Sequence, residues 1–423
     1  MIEHDVAPGK LDRCQVCGSV DLDLVIDLGH QPLCDGLLSA AMLDEPEISY
    51  PLRLFRCTSC SLTQLDYVVD GSVVYAPDYP YRSGITKELA VYQQAFADGV
   101  IGSYGMEDGS LCVDVGSNDG TLLTGFKKRK MRVLGIEPTN IAKIAIDENQ
   151  IDTWQAFFTE DLTRQIVEEH GHAKVVTMTN VFAHMATLGE VMRGITRLMD
   201  DDGMFITESH YLMDVIKGLQ YDTIYHEHIR TYSLRSLIML FEQYDLDVFD
   251  VQRADRYGGN IRAYVCRKGA RSVSPAVGSL LQEERDFGLY DSAVYKVFLE
   301  GARSTRNALM DFAYEAKSSG KSFVGNSCPG RCSTLINYCG LNRDLLPYLA
   351  EQPTSLKLGK YLPGIHTPIV ENSILIDHQP DYVLLLAWHY AKPIMEQLRA
   401  RGLRSKFVMP LPTFKVIADD ECA

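Results

Sequence analysis

The sequence predicts an α/β protein with three domains: a cysteine-rich domain at residues 1–72, a central α/β domain at 73–270 and a smaller α/β domain at 271–423. Three observations predict it. Residues 1–72 hold five of the 11 cysteines, several turns and few helical periods. Residues 73–270 alternate helical patterns with short β-rich runs, which implies βαβ units and a mainly parallel sheet. Residues 271–423 open on a long helical pattern through Lys317 and then show three more strand-like runs.

The central runs are Leu111–Val115, Val133–Glu137, Val175–Met178, Met204–Glu208, Asp247–Val251 and Ile261–Cys266. Polar, Pro- and Gly-containing Ser272–Ser279 reads as a linker. The C-terminal runs are Ser322–Gly325, Tyr382–Leu386 and Phe407–Met409.

The chain has 423 residues, with 41 Lys and Arg against 56 Asp and Glu, a formal charge of −15. That balance speaks against a nucleic-acid surface, which needs a basic field. It leaves room for a small basic pocket for one anionic metabolite. No run approaches the ~20 apolar residues that span a bilayer, and the N-terminal MIEHDVAPGKLDRC has no apolar core of a signal peptide. The expectation is a cytoplasmic protein whose cysteines are thiols or metal ligands.

Cys14 and Cys17, with Cys57 and Cys60, form two C-x2-C knuckles. Each turn points two thiolates at one place, and two turns complete a tetrahedral S4 site for Zn²⁺. Four thiolates close the shell, so this zinc is expected to be structural. The long interval between the knuckles suggests a loop excursion carrying Gln31–Asp35, with Cys34 as a small buried hydrophobe.

Leu111–Gly120 reads as a strand entering a glycine loop, followed by a helix. Gly116 and Gly120 let the backbone approach a ligand closely, and Glu137, at the tip of the next strand, is placed to accept both ribose hydroxyls. A dinucleotide fingerprint wants glycine where this chain has Asn118. Carboxylates at Asp114 and Asp119 suit a cationic sulfonium better than a pyrophosphate. S-adenosylmethionine is therefore favoured over NAD.

Asp222–Ile229 packs Tyr225, His226, Glu227 and His228 into four consecutive positions. On a strand, the H-E-H alternation would point both histidines to one side; it is not the helical metal spacing. A histidine, a carboxylate and a tyrosine suit proton abstraction, with the phenol donating to an oxyanion and Glu227 orienting an imidazole. Asn180–His184 follows a central strand and belongs at the C-terminal edge of the sheet, where open α/β folds bind ligands.

Together these segments resemble the S-adenosylmethionine-dependent C-methyltransferases of nucleotide-linked keto-deoxysugars, the sugar C-3-methyltransferases. The resemblance runs from the paired knuckles around Asp27–Leu33, through Tyr79–Gly84, VGSNDGTLL, GIEP, Asn180–His184, Tyr221–His228 and Tyr257–Arg262, to Cys339 and Gly359–Gly364. It implies a Rossmann-like methyltransferase domain between a zinc-binding N-terminal domain and a C-terminal α/β domain that helps hold the nucleotide sugar. It places the base beside the ketone on His228, with Tyr225 and Glu227 supporting, and Tyr79 and His184 in the other active-site positions. Asp114, Gly116, Asn118, Gly120 and Glu137 take the cofactor positions, and Tyr81 and Asn180 face the sugar. Where the family often shows a lysine loop, this chain has Gly325–Thr334, and Arg331 is the candidate phosphate-binding cation. Asn260 replaces the usual serine after the paired glycines. The implied substrate is a dTDP-linked 4-keto-6-deoxy sugar methylated at C-3; these two departures leave open which nucleotide and which sugar.

Two other readings compete. One is an NAD(P)-dependent or bifunctional sugar ketoreductase, which the missing middle glycine disfavours. The other is a non-catalytic zinc-containing nucleotide-binding protein, which would leave the Tyr225–His228 cluster without a role. The sequence leaves the oligomeric state open.

Overall fold

The computed structural model describes residues 4–75, 82–85 and 87–417. A seven-stranded sheet lies at the centre. Its spatial order is Leu246–Ala254, Asn260–Arg267, Met199–His210, Ala173–Thr179, Leu111–Val115, Arg132–Ile136 and Thr153–Trp154. The last five are parallel; Asn260–Arg267 runs antiparallel to both its neighbours. Parallel neighbours need crossovers, which the helices Thr121–Lys128, Glu160–His170 and Leu188–Leu198 help to supply. Leu111–Val115 is buried along its whole length, which is why it reads as an unbroken apolar run around Asp114.

From Leu111–Val115 the chain builds outward to one side of the sheet, then returns to Ala173–Thr179 on the other. The strand order reverses between these two, and the crevice at their C-terminal ends is where such sheets hold ligands.

A four-stranded antiparallel sheet forms the N-terminal domain: Leu22–Gln31, Tyr50–Cys57, Thr63–Leu65 and, from far along the chain, Arg230–Thr231. The C-terminal sheet has six strands, Ile369–Glu371, Leu349–Glu351, Phe323–Asn326, Tyr382–Leu385, Lys406–Met409 and Lys415–Ile417, parallel except for the last. One apolar core runs through all three sheets, from Val25 and Leu52 through Val113 and Tyr211 to Leu335 and Leu384.

Two local readings are corrected. Ser272–Ser279 is only partly a connector: Ser274 caps the helix Pro275–Asp286 by accepting from Ala276 N, and Pro275 occupies its first turn, where its missing N–H costs nothing. The helical pattern through Lys317 is two helices, Pro275–Asp286 and Ser292–Ser318. Among the described residues, no helix is long and apolar enough to cross a membrane.

Candidate active site

The cofactor crevice starts where Leu111–Val115 ends. Gly116 has φ 68°, and a Cβ there would stand 2.4 Å from Val181 Cγ2, so only glycine fits. Asn118 takes a left-handed backbone with φ 50°, which asparagine tolerates. Its N–H donates to Glu137 Oε2 at 3.0 Å, and its Oδ1 accepts from Ser83 N at 2.8 Å. Glu137 Oε1 accepts from Thr139 N and Oγ1 at 2.9 and 2.7 Å. The carboxylate at the strand tip is thus buried and oriented by the protein itself. Asp114 accepts from Thr177 Oγ1 at 2.6 Å, and burial pushes its carboxyl up to about 7. Asp119 has a different task from the one expected. It accepts from Arg82 Nε and Gly84 N at 3.1 and 2.7 Å, so it fastens 82–84 to the loop.

The histidine segment is a turn, not a strand. His228 N donates to Tyr225 O at 2.9 Å, and this closes Tyr225–His228 on itself. The two histidines therefore do not share a side. His226 turns to the N-terminal domain, with Nε2 3.3 Å from Pro51 O and its ring edge-on to Tyr50. His228 turns into a buried cluster of rings. Its ring centroid lies 3.9 Å from Tyr225, 4.9 Å from His184 and 4.7 Å from His210.

His228 Nδ1 sits 2.7 Å from Thr223 O. A carbonyl oxygen only accepts, so Nδ1 carries the proton and Nε2 has a free lone pair. Burial pulls the His228 imidazole down to about 4, against the bond to Thr223, and it pulls His184 and His210 well below the ordinary histidine value. Three neutral imidazoles thus line one place. Burial also raises the Tyr225 phenol well above its ordinary value, so it remains a donor.

Thr223 O, rather than Glu227, orients the His228 ring. Glu227 Oε1 accepts from Cys34 Sγ at 3.4 Å. Next to it Asp35 pairs with buried Lys357 at 2.7 Å, and Lys357 also donates to Cys328 O at 3.0 Å. The loop between the knuckles therefore clamps the turn against the C-terminal domain.

Arg331 is corrected from the phosphate-binding role. It is 6% exposed, and Nε and one terminal nitrogen grip Asp222 at 2.8 and 2.7 Å. Its other N–H groups reach Gln220 Oε1, Tyr257 O and His389 Nδ1 at 3.1, 3.1 and 3.5 Å. All five donors of the guanidinium are thus engaged inside the protein. Trp388 Nε1 adds a 2.7 Å bond to Asp222, and Thr334 Oγ1 donates to Ile224 O at 3.0 Å. Removing one partner of such a buried pair costs about 3–5 kcal/mol, so this pair fixes the turn rather than a ligand.

The four knuckle sulfurs, Cys14, Cys17, Cys57 and Cys60, lie within 4.8 Å of one another. Two contacts measure 3.5 and 3.4 Å, close to the about 3.8 Å that ~2.3 Å Zn–S bonds impose on a tetrahedron. Val16 N and Cys17 N approach Cys14 Sγ at 3.4 and 3.5 Å, as thiolates in such turns accept. The donor set fits zinc. The knuckle also reaches the segment that follows the His228 turn: Gln15 Oε1 accepts from buried Arg230 at 2.8 Å, and Gln15 N donates to Gln64 Oε1 at 2.8 Å. Arg230, two residues beyond His228, pairs with Gln64 across the sheet and donates to Met185 O beside His184.

Asn180 also lies at this edge of the sheet, with φ 55° and Oδ1 accepting from Asn260 Nδ2 at 3.3 Å. Beneath it, Glu208 accepts from Asn260, Arg262 and Tyr92 at 3.1, 2.8 and 2.8 Å. Tyr79 and Tyr81 lie outside the described residues. His210, Asp222 and Trp388 were missed in the sequence. For His210 one signal existed: it ends a parallel strand on the ligand side of the sheet.

Family models match three stretches: "Putative zinc binding domain" over 14–75, "Methyltransferase domain" over 99–251 and "C-methyltransferase C-terminal domain" over 255–412. The chain is also 34% identical over 413 residues to C-methyltransferase NovU of Streptomyces niveus, covering 96% of this chain and 97% of that one. The chain belongs to the C-methyltransferase family. It is an S-adenosylmethionine-dependent methyltransferase with a zinc-binding N-terminal domain. Among solved structures, a methyltransferase of Anabaena variabilis matches at 14% identity over 42% of this chain and 86% of that one, with a TM-score of 0.34. Magnesium protoporphyrin IX methyltransferase of Synechocystis PCC 6803 matches at 14% identity over 42% and 81%, with a TM-score of 0.31.

Two outcomes are expected. Removing zinc with a chelator should lower kcat more than it weakens S-adenosylmethionine binding, because Gln15 anchors Arg230 while Gly116–Glu137 belong to another sheet; zinc content, kcat and calorimetric affinity check this. A His228 that serves as base works in its neutral form, so activity would fall as pH falls through its pKa. The acid limb of kcat/KM in the C-methyltransferase should therefore lie near 4, not at the ~6.5 of an exposed imidazole.

Proposed function

We propose that this C-methyltransferase methylates a dTDP-linked 4-keto-6-deoxy sugar at C-3, the carbon beside the ketone, and works in the cytoplasm. The observation that carries the reading is the free Nε2 of His228, fixed by Thr223 O among neutral imidazoles and a protonated phenol. That set suits removal of a proton made acidic by a neighbouring carbonyl.

The assignment runs by domain. Residues 1–72 hold zinc through Cys14, Cys17, Cys57 and Cys60; residues 73–270 hold S-adenosylmethionine; residues 271–423 close over the nucleotide. Asp114, Gly116, Asn118, Gly120 and Glu137 form the cofactor crevice. When bound there, S-adenosylmethionine supplies the electrophilic methyl that the substrate carbon takes up. His228 Nε2 removes the C-3 proton, the C–H electron pair becomes the C-3–C-4 double bond, and the carbonyl π pair moves onto the ketone oxygen. Tyr225 donates to the resulting oxyanion, and His184 and Tyr79 are the further candidate donors. Asn180 and Tyr81 orient the sugar ring. Glu227 acts at one remove, through the packing of the turn. A positioned base of this kind contributes about 10²–10⁴-fold.

The test is isotopic. In D2O, with a 4-keto-6-deoxy nucleotide sugar and no S-adenosylmethionine, wild type should exchange the C-3 hydrogen. His228→Asn should slow that exchange by about 10²-fold or more, with cofactor affinity kept. Exchange at the wild-type rate in His228→Asn would remove the base assignment.

A further inference from the structure

Several arginines stand around the mouth of the cleft, and most carry a carboxylate. Arg331 grips Asp222, Arg262 grips Glu208, and Arg253 pairs with Asp214. Arg256 differs. It sits in the turn between Leu246–Ala254 and Asn260–Arg267. Its guanidinium lies 5.2, 5.3 and 5.8 Å from the ring centroids of Tyr92, Tyr257 and Tyr390. No carboxylate of the described residues pairs with it, and its buried Nε has no hydrogen-bond partner among them. The Tyr390 hydroxyl beside it is buried too, with no acceptor for its proton among them.

Aromatic faces hold a cation in place without neutralising it. A half-buried guanidinium without a counter-ion, next to a hydroxyl whose proton has no acceptor, offers planar N–H donors and an O–H donor to an anion. The place suits the substrate of the proposed reaction. The Tyr257 ring is 6.1 Å from His210, which is 4.7 Å from His228. Tyr390 comes from the C-terminal domain and Arg256 from the central one, so the anion would bridge the two.

We propose that Arg256, with the Tyr390 hydroxyl, is the subsite for the diphosphate of the nucleotide-linked substrate, the role that Arg331 cannot fill. This rests on the nucleotide-sugar reading above. The test uses the full-length holoenzyme with three calorimetric probes: thymidine diphosphate, inorganic pyrophosphate and thymidine. Arg256→Gln should weaken thymidine diphosphate and pyrophosphate about 10- to 100-fold, while S-adenosylhomocysteine affinity is unchanged, which shows the fold intact. Arg256→Lys should recover part of the loss. In turnover of the keto-sugar nucleotide, the change should fall on the sugar KM rather than on kcat. Unchanged affinity of Arg256→Gln for both phosphate probes would overturn the subsite and leave the nucleotide-sugar reading standing. Equal weakening of thymidine would also overturn it. A wild type that turns over no nucleotide-linked sugar, yet binds pyrophosphate through Arg256, would remove the substrate reading and keep the anion site.

Discussion

The site depends on one hydrogen bond, from His228 Nδ1 to Thr223 O at 2.7 Å. It fixes the tautomer, and with it which nitrogen can act as base. In the proposed reaction a buried imidazole of low basicity is a weak base, so the catalytic demand moves to the hydrogen-bond donor to the developing oxyanion. The Tyr225 phenol, held protonated by the same burial, supplies it.

Thr223 can hold the ring only if it is itself held, and all three domains share that work. Asp222, one residue before, is gripped by Arg331 and Trp388 of the C-terminal domain. Ile224, one residue after, is held by Thr334. On the other flank, Arg230 joins the zinc knuckle through Gln15 and adds a strand to the N-terminal sheet. The cysteine domain is thus a brace for the turn that carries His228. The cofactor crevice stands apart, built on the parallel strands, so positioning of base and cofactor can be separated by mutation.

Elements with strong local signals were legible in the sequence. Leu111–Val115 matches its predicted bounds because it is buried on both faces. The two knuckles were legible because metal spacing is local. Thr153–Trp154 and Ile369–Glu371 were not, since two or three residues carry no period of their own. Ser272–Ser279 misled because Ser-Pro marks both a turn and a helix start. The H-E-H alternation misled because the segment is shaped by distant partners, Pro51 for His226 and Thr223 for His228. Arg331 was misread for the same reason: Asp222 lies 109 residues away, and a lone arginine in a sequence does not reveal its carboxylate.

The central claim concerns a proton on one nitrogen, and nitrogen NMR reads it directly. In protein labelled with ¹⁵N-histidine, the resonances missing from His228→Asn belong to His228. The account predicts a neutral ring from about pH 6 to 8, with Nδ1 protonated and Nε2 bare. A protonated Nε2, or a ring that takes its second proton at the ordinary histidine pKa, would contradict it.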